Sequence, residues 1–274
     1  MHSHRTFTLL VACCVLGLSG CTRPPGAIHL KATEFFTDSK TVALAQALEL
    51  TDLTKADELV RDGANVNAVG KVGVTPLMWA MLAKNKVSFK WLLEHGANPN
   101  LIADPDRGVL HWASGMDDPD WLEILLQHKG DPNLIRKNGP LTLVPVGETI
   151  VERRRRNLEL LIKAGADVNF VFPEDEGGGT LAIDAADLGW FEGLYILLEA
   201  GADYRPKTVG GGYDVTYPLM RRKPEAGSEE AKWRDKVVKL LQDRGADLEP
   251  ARKRVTEEEL KDRKEHPWLY ESSK

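Results

Sequence analysis

One phrase recurs six times along this chain: an apolar helix end, then Gly-Ala-Asp or Gly-Ala-Asn, then a turn. It reads Gly63-Ala64-Asn65-Val66-Asn67, Gly96-Ala97-Asn98-Pro99-Asn100, Lys129-Gly130-Asp131-Pro132-Asn133 and Gly165-Ala166-Asp167-Val168-Asn169. Weaker copies follow at Gly201-Ala202-Asp203-Tyr204-Arg205 and Gly245-Ala246-Asp247-Leu248-Glu249. The steps between the last residues of successive phrases are 33, 33, 36, 36 and 44 residues. A period in that range means stacked supersecondary units, each unable to bury its apolar face alone. Such a stack is usually built to hold another molecule.

The second unit is the clearest. Thr75-Pro76-Leu77-Met78-Trp79-Ala80 opens a helix: Thr75 can cap the free amides, and Pro76 suits the first helical position because its missing N–H would have had no partner. Val87, Phe89, Trp91, Leu92 and Leu93 fall mostly on one face of a second helix. Gly96 ends that helix with the left-handed backbone a helix terminus favours. On these residues the chain resembles the ankyrin repeat family, whose pattern is Thr-Pro-Leu-His-x-Ala, a second helix, then Gly-Ala-Asp-x-Asn. The third unit matches through Gly108–Ala113 and Trp121–Leu126, the fifth through Thr180–Ala186, Gly189 and Leu194–Leu198. In units two, three and five the step from the proline position (Pro76, Val109, Leu181) to the glycine position (Gly96, Lys129, Gly201) is 20 residues. The resemblance implies an all-α solenoid of about six helix-turn-helix repeats with loop fingers. His111 then stands where the family carries a structural histidine, and Trp79 and Trp112 are expected to pack between repeats.

Four stretches depart from that spacing. The first unit, about Thr41–Asn67, lacks the Thr-Pro entry, as an amino-terminal cap would. The fourth, measured from Pro140 to Gly165, carries five extra residues, expected between its helices. The sixth, from Pro218 to Gly245, carries seven, around Arg221–Ala231. The loops Phe170–Gly179 and Arg205–Tyr217 are also long, and their glycine runs (Gly177–Gly179, Gly210–Gly212) read as flexible tips. Thr256-x-x-Glu259 has the form of a capping box opening a short terminal helix, with Trp268, Leu269 and Tyr270 folding back on the stack. The expected division is 1–20 leader, 21–40 tether and lead-in, 41–249 repeats and 250–274 cap.

At the amino terminus, Arg5 precedes an apolar run, Phe7–Gly17, too short to span a bilayer. The run ends in Leu18-Ser19-Gly20-Cys21, which resembles the lipobox of bacterial lipoproteins. That resemblance implies cleavage before Cys21 and lipidation of its thiol, with acyl groups including palmitate. Thr22 in place of Asp implies the outer membrane, facing the periplasm. Cys13, Cys14 and Cys21 are the only cysteines. The mature chain would keep one thiol, lipidated, leaving no disulfide and no thiolate metal site. Two or three acyl chains anchor stably where one binds reversibly. Pro24, Pro25 and Gly26 suit a tether between lipid and repeats.

A net charge of −5 argues against a nucleic-acid binder. There is no His-Glu-x-x-His, no phosphate-cradling Gly-x-x-x-x-Gly-Lys-Ser/Thr and no Gly-x-Ser-x-Gly elbow. The histidines show no ligand spacing. Neither an enzyme, nor a metal site, nor a cofactor is expected. Asp184 and Asp187, one helical turn apart, read as solvated or capping carboxylates. Arg153–Arg156 winds around a helix and reads as a solvated outer face, with acidic lipid or an acidic partner as the alternative.

By the ankyrin resemblance, loop tips and the exposed side of the first helices form one partner-binding strip. It would include Val69, Lys71 and Leu82 from repeat two, and Asp104, Asp106, Arg107, Met116 and Asp117 from repeat three. Repeat four adds Arg136, Lys137 and Asn138; repeat five adds Phe172, Glu174, Asp175, Glu176 and Asp187, with Trp190 at its edge. Phe172 and Trp190 are the expected aromatic anchors. The acidic tip Glu174–Glu176 should steer a basic partner and weaken with salt. The mixture suits a polar protein surface better than a small apolar ligand. Expected, then, is a lipid-anchored protein-binding module, monomeric when unbound. Ankyrin lipoproteins of this size resemble the immunity partners of phospholipase effectors delivered by type VI secretion. That implies neutralisation of a periplasm-targeted toxin; the alternative is a scaffold or stabiliser of a resident envelope protein.

Overall fold

A computed structural model describes residues 31–103, 108–136 and 142–266. The leader, Cys21 and the tether lie outside the described residues, as do Asp104, Asp106, Arg107, Lys137, Asn138 and the terminal Trp268, Leu269 and Tyr270. The chain forms two compact units, Met1–Ala166 and Asp167–Lys274. Fourteen α-helices, two single-turn 3-10 helices (Lys71–Gly73 and Glu174–Glu176) and two isolated β-bridges make up the regular structure among the described residues. The architecture is the expected all-α ankyrin-repeat stack.

In the first unit, a short lead-in helix α1 (Ala32–Phe35) precedes four helix pairs. These are α2 (Ser39–Glu49) with α3 (Leu53–Arg61), α4 (Pro76–Leu82) with α5 (Lys86–Glu94), α6 (Val109–Gly115) with α7 (Asp120–Gln127), and α8 (Pro145–Val151) with α9 (Arg155–Lys163). In the second unit, α10 (Leu181–Asp187) pairs with α11 (Phe191–Glu199), α12 (Thr216–Arg221) with α13 (Glu229–Asp243), and α14 (Glu249–Glu265) ends the array. The cores are aliphatic: Leu92, Leu122, Leu125, Leu158 and Leu161 are fully buried in the first unit, Leu194, Leu197 and Leu241 in the second.

The recurrent phrase has a mechanical explanation. Its Gly takes a left-handed φ, 92° at Gly63, 90° at Gly96, 91° at Gly165 and 99° at Gly201. That turn lets the next residue's N–H reach back to the helix, as Ala97 to the Leu92 carbonyl at 2.9 Å and Ala166 to that of Leu161 at 2.9 Å. The Asx side chain then accepts from the backbone N–H two residues on: Asn98 Oδ1 from Asn100 at 2.9 Å, Asp131 from Asn133 at 2.8 Å. The final Asn reaches across to the following repeat. Asn67 Nδ2 donates to the Gly96 carbonyl at 2.9 Å, and its Oδ1 accepts from Asn98 N–H at 2.7 Å. Asn100 repeats the pair on Lys129 and Asp131, and Asn169 repeats it on Gly201 and Asp203.

The weaker copies lose this bridge. Arg205 turns back on its own Asp203, with Nε to Oδ1 at 2.8 Å and Nη2 to Oδ2 at 2.9 Å. Repeats five and six are joined instead by Arg244 Nη1 to the Leu198 carbonyl at 2.9 Å and by Val209 N–H to the Gly177 carbonyl at 3.0 Å.

In four of the six pairs, three residues connect the helices and a left-handed residue turns the chain (Thr51, Lys84, Arg153 or Gly189); four residues join α6 to α7 and seven join α12 to α13. Thr75 and Thr180 cap their helices as the sequence suggests, accepting from Met78 and Ile183 N–H at 3.2 and 3.3 Å. Repeat four corrects the expected insertion. Its first helix starts at Pro145, not Pro140, and α8 joins α9 through the usual three residues, so the extra five precede the helix pair. Only from Pro145 do Val146, Thr149 and Ile150 fall at helical spacing on a buried face. The insertion in repeat six does lie between its helices, in 222–228 and an early start to α13.

The terminal helix differs as well. α14 is one 17-residue helix beginning at Glu249, with Thr256 in its middle donating to the Arg252 carbonyl at 3.0 Å, so no capping box operates there. Of the two glycine runs, Gly210–Gly212 is exposed, but Gly177–Gly179 is not simply a flexible tip. Gly178 and Gly179 are buried, and a Cβ on Gly178 would come within 2.5 Å of Val209.

Two outcomes test this account. Asn100→Ala should destabilise the protein by about 1–2 kcal/mol through loss of the inter-repeat pair, read by urea unfolding. Lys129 holds φ 68° where the other repeats place glycine. Lys129→Gly should stabilise by roughly 1 kcal/mol by relieving the left-handed Cβ clash.

Candidate protein-binding surface

The finger of repeat two is built by closing the chain on itself: Gly70 N–H donates to the Val74 carbonyl at 2.8 Å, and Val74 N–H to that of Lys71 at 3.2 Å. Val74 is buried, Lys71 is exposed, and Val69 stands 55% exposed. The lead-in seats behind this finger. Phe35 and Phe36 are buried against Trp79, with ring centroids 5.5 and 6.3 Å away, and a Cβ on Gly70 would sit 2.8 Å from the Phe35 carbonyl oxygen. Leu82 and Met116, at the ends of their first helices, are half-buried. Asp117 is exposed and pairs with Arg154 at 2.5 Å.

The arginine run is mostly engaged within the fold. Arg154 Nε also donates to the Gly115 carbonyl at 2.8 Å, while Arg155 and Arg156 pair with Glu159 at 2.9 and 3.8 Å. Arg136 corrects the expected strip. It is only 3% exposed, and its backbone forms a bridge to Leu143.

In the second unit, the long finger of repeat five is pinned by the Val171–Thr180 bridge and by Phe172 N–H to the Gly179 carbonyl at 2.9 Å. Phe172 is half-buried, edge-on to Phe170 at 5.2 Å. Glu174 and Asp175 are exposed in a single 3-10 turn, with Glu176 half-buried. Trp190 is a second correction: it is 6% exposed and is not a surface anchor. Left-handed Gly189 turns Trp190 inward, and its indole lies where a Cβ on Gly193 would be, 2.1 Å from that position.

Sequence reading missed two features. A β-branched residue follows each bridging Asn by two positions, giving Val69, Ile102 and Ile135 in the first unit and Val171 in the second; all but half-buried Ile102 are exposed. That register was available in the sequence. The other is an aromatic clasp at repeat six. Tyr213 O–H donates to Asp187 Oδ2 at 3.2 Å, Tyr217 O–H to Glu258 Oε2 at 2.5 Å, and the Arg254 guanidinium stacks 4.3 Å over Tyr217.

Asp184 and Asp187 do lie together. Burial, with the neighbouring Asp187 carboxylate second, pushes the Asp184 carboxyl up to about 7. Among the described residues, no cluster of side chains is arranged to hold a metal ion.

Residues 43–136 match the family model of ankyrin repeats in three copies. Comparison with curated protein sequences gives no match. Among solved structures, the chain is similar to the crystal structure of the ankyrin repeat domain of Bcl-3, a member of the IkappaB protein family. The match has 20% identity and a TM-score of 0.60, covering 75% of this chain and 86% of that one. At that identity the likeness is one of fold. The chain thus carries ankyrin repeats, which indicate a protein-binding module with a protein partner, and no enzymatic family is indicated.

Asp184 yields a pH prediction. Its folded carboxyl titrates near 7 and its unfolded one in the ordinary range near 3.8, so the folded state holds the extra proton between those values. Stability therefore falls as pH rises from about 4 to 7 and levels off above. Asp184→Asn should remove this loss, giving a stability gain that is near zero at pH 4 and full above pH 7 in chemical denaturation.

Proposed function

We propose that this protein is a lipid-anchored immunity protein that binds and neutralises a toxin entering the periplasm, such as a phospholipase effector of type VI secretion. The observation that carries the reading is a pairing within one chain. A lipobox-like Leu18-Ser19-Gly20-Cys21 is followed by repeats whose exposed fingers present Val69 and Lys71 in one unit and Val171, Glu174 and Asp175 in the other. A tight inhibitor buries roughly 1,600 Å² or more in total. The acidic turn at Glu174–Glu176 supplies steering toward a basic surface. Lipid at Cys21 would hold the binder at the bilayer a phospholipase attacks, on the periplasmic side of the outer membrane.

Two measurements test the proposal. Labelled palmitate should enter the protein, and Cys21→Ser should abolish incorporation. The purified body should inhibit the product of an adjoining toxin gene in a lipase assay, and deleting the gene should expose cells to killing by their sisters. Loss of one resident envelope activity on deletion, without killing, would replace immunity with scaffolding.

A further inference from the structure

The finger of repeat six, residues 205–214, is held down chiefly by hydrogen bonds. None of its residues is buried, whereas the finger of repeat five buries Gly178, Gly179 and Thr180. Ties to three other elements fix its position. Val209 N–H donates to the Gly177 carbonyl at 3.0 Å, Tyr213 O–H to Asp187 Oδ2 at 3.2 Å, and Arg254 Nη1 to the Gly211 carbonyl at 3.2 Å. A segment secured by a few exposed hydrogen bonds and no buried side chain opens at low cost in free energy.

Two carboxyl groups lie beneath this finger. Asp184 and Asp187 stand one turn apart on α10, and Asp184 Oδ1 is 4.0 Å from where a Cβ on Gly179 would sit. Thr208 Cγ2 is 3.8 Å from that same point, so the Asp184 carboxyl lies where the bases of the two fingers meet. Among the described residues, Asp187 is the one charge acting on it. The neighbouring donors serve Asp187 instead. Arg221 of α12 is within electrostatic reach of its carboxylate, Arg222 donates to its backbone carbonyl, and Tyr213 donates to its side chain. From α13, Glu230 reaches the Gly189 turn and adds no positive charge; from α14, Arg254 pairs with Glu258 at 3.0 Å. An ionised Asp184 thus faces a second carboxylate with no cation of its own, and a charge so placed needs hydration. We propose that the finger of repeat six is a pH-operated flap, closed over Asp184 while that carboxyl is protonated and lifted by entering water once the proton passes to solvent.

The inference goes beyond the proposed function and holds whatever the partner is. The closed carboxyl titrates near 7 and a hydrated one near 3.8, so the closed finger is favoured fully below about pH 4. That preference is lost progressively as pH rises to about 7, with no further change above. Lifting puts both carboxylates in water and frees the Gly177 carbonyl. The first-helix face of repeat five is therefore covered in acid surroundings and opened in neutral ones.

The test is amide hydrogen exchange in the full chain at about pH 5 and about pH 8, each rate divided by the intrinsic rate at that pH. Protection at Val209 should fall by roughly tenfold or more between the two. Low urea should leave exchange at Val209 unchanged while accelerating it at Leu197 in α11. Asp184→Asn should keep Val209 at its acid-side protection throughout. Tyr213→Phe removes one tie and leaves the carboxyl, so protection should drop on the acid side and still fall toward the alkaline one. Wild-type protection independent of pH, or an unaltered pH dependence in Asp184→Asn, would overturn the flap. Full acid-side protection in Tyr213→Phe would overturn it as well. So would urea sensitivity at Val209 equal to that at Leu197, since the opening would then be global unfolding.

Discussion

Cohesion between neighbouring repeats depends on a primary amide used at both ends. In Asn67, Asn100 and Asn169 the Nδ2 group donates to the carbonyl that closes the next second helix, while Oδ1 accepts the next Asx N–H. Both backbone groups lie in the turn just past the helix end, beyond the reach of the helical hydrogen-bond ladder. An aspartate could accept but not donate, and a lysine could donate but not accept. The Gly-Ala-Asx-x-Asn phrase thus combines three devices: a left-handed helix stop, an Asx turn, and a bridge at a fixed step. Where the terminal Asn gives way to Arg205, the guanidinium satisfies only its own repeat, and repeat six is secured by longer fingers and the tyrosine–arginine clasp.

A second layer of joints lies at the helix turns. Asn85 Nδ2 and Ser88 Oγ donate to the Leu48 carbonyl at 2.9 and 2.6 Å, and Asn157 Nδ2 donates to the Ala113, Ser114 and Met116 carbonyls. The second helix of one repeat therefore satisfies the open carbonyls of the preceding repeat's first helix. These contacts hold the leucine ridges in register, so each repeat becomes stable only beside its neighbour.

Much of this was legible in the sequence. The six phrases, the Thr-Pro entry of repeat two and the 20-residue step define the fold, and the structure agrees with them. What failed did so for identifiable reasons. Counting from Pro140 misplaced the insertion in repeat four because two prolines compete there, and only burial selects Pro145. Trp190 looked like an exposed aromatic because nothing in a linear reading shows that Gly193 leaves room for its indole. Thr256-x-x-Glu259 mimicked a helix start because a capping box is a short pattern, while α14 had already begun at Glu249. The shifted Asp184 carboxyl arises from three-dimensional crowding and burial, which composition does not encode.

The aromatic plug of the lead-in sets a practical boundary on the molecule. Phe35 and Phe36 shield the flat side of Trp79 and fill the notch left by Gly70. Trimming the protein at Ser39, where the first paired helix starts, would bare an indole and an open aliphatic edge of the kind that draws foreign chains together. Any shortened version intended to stay dispersed must keep Ala32 through Phe36, although these residues precede the first recognisable repeat.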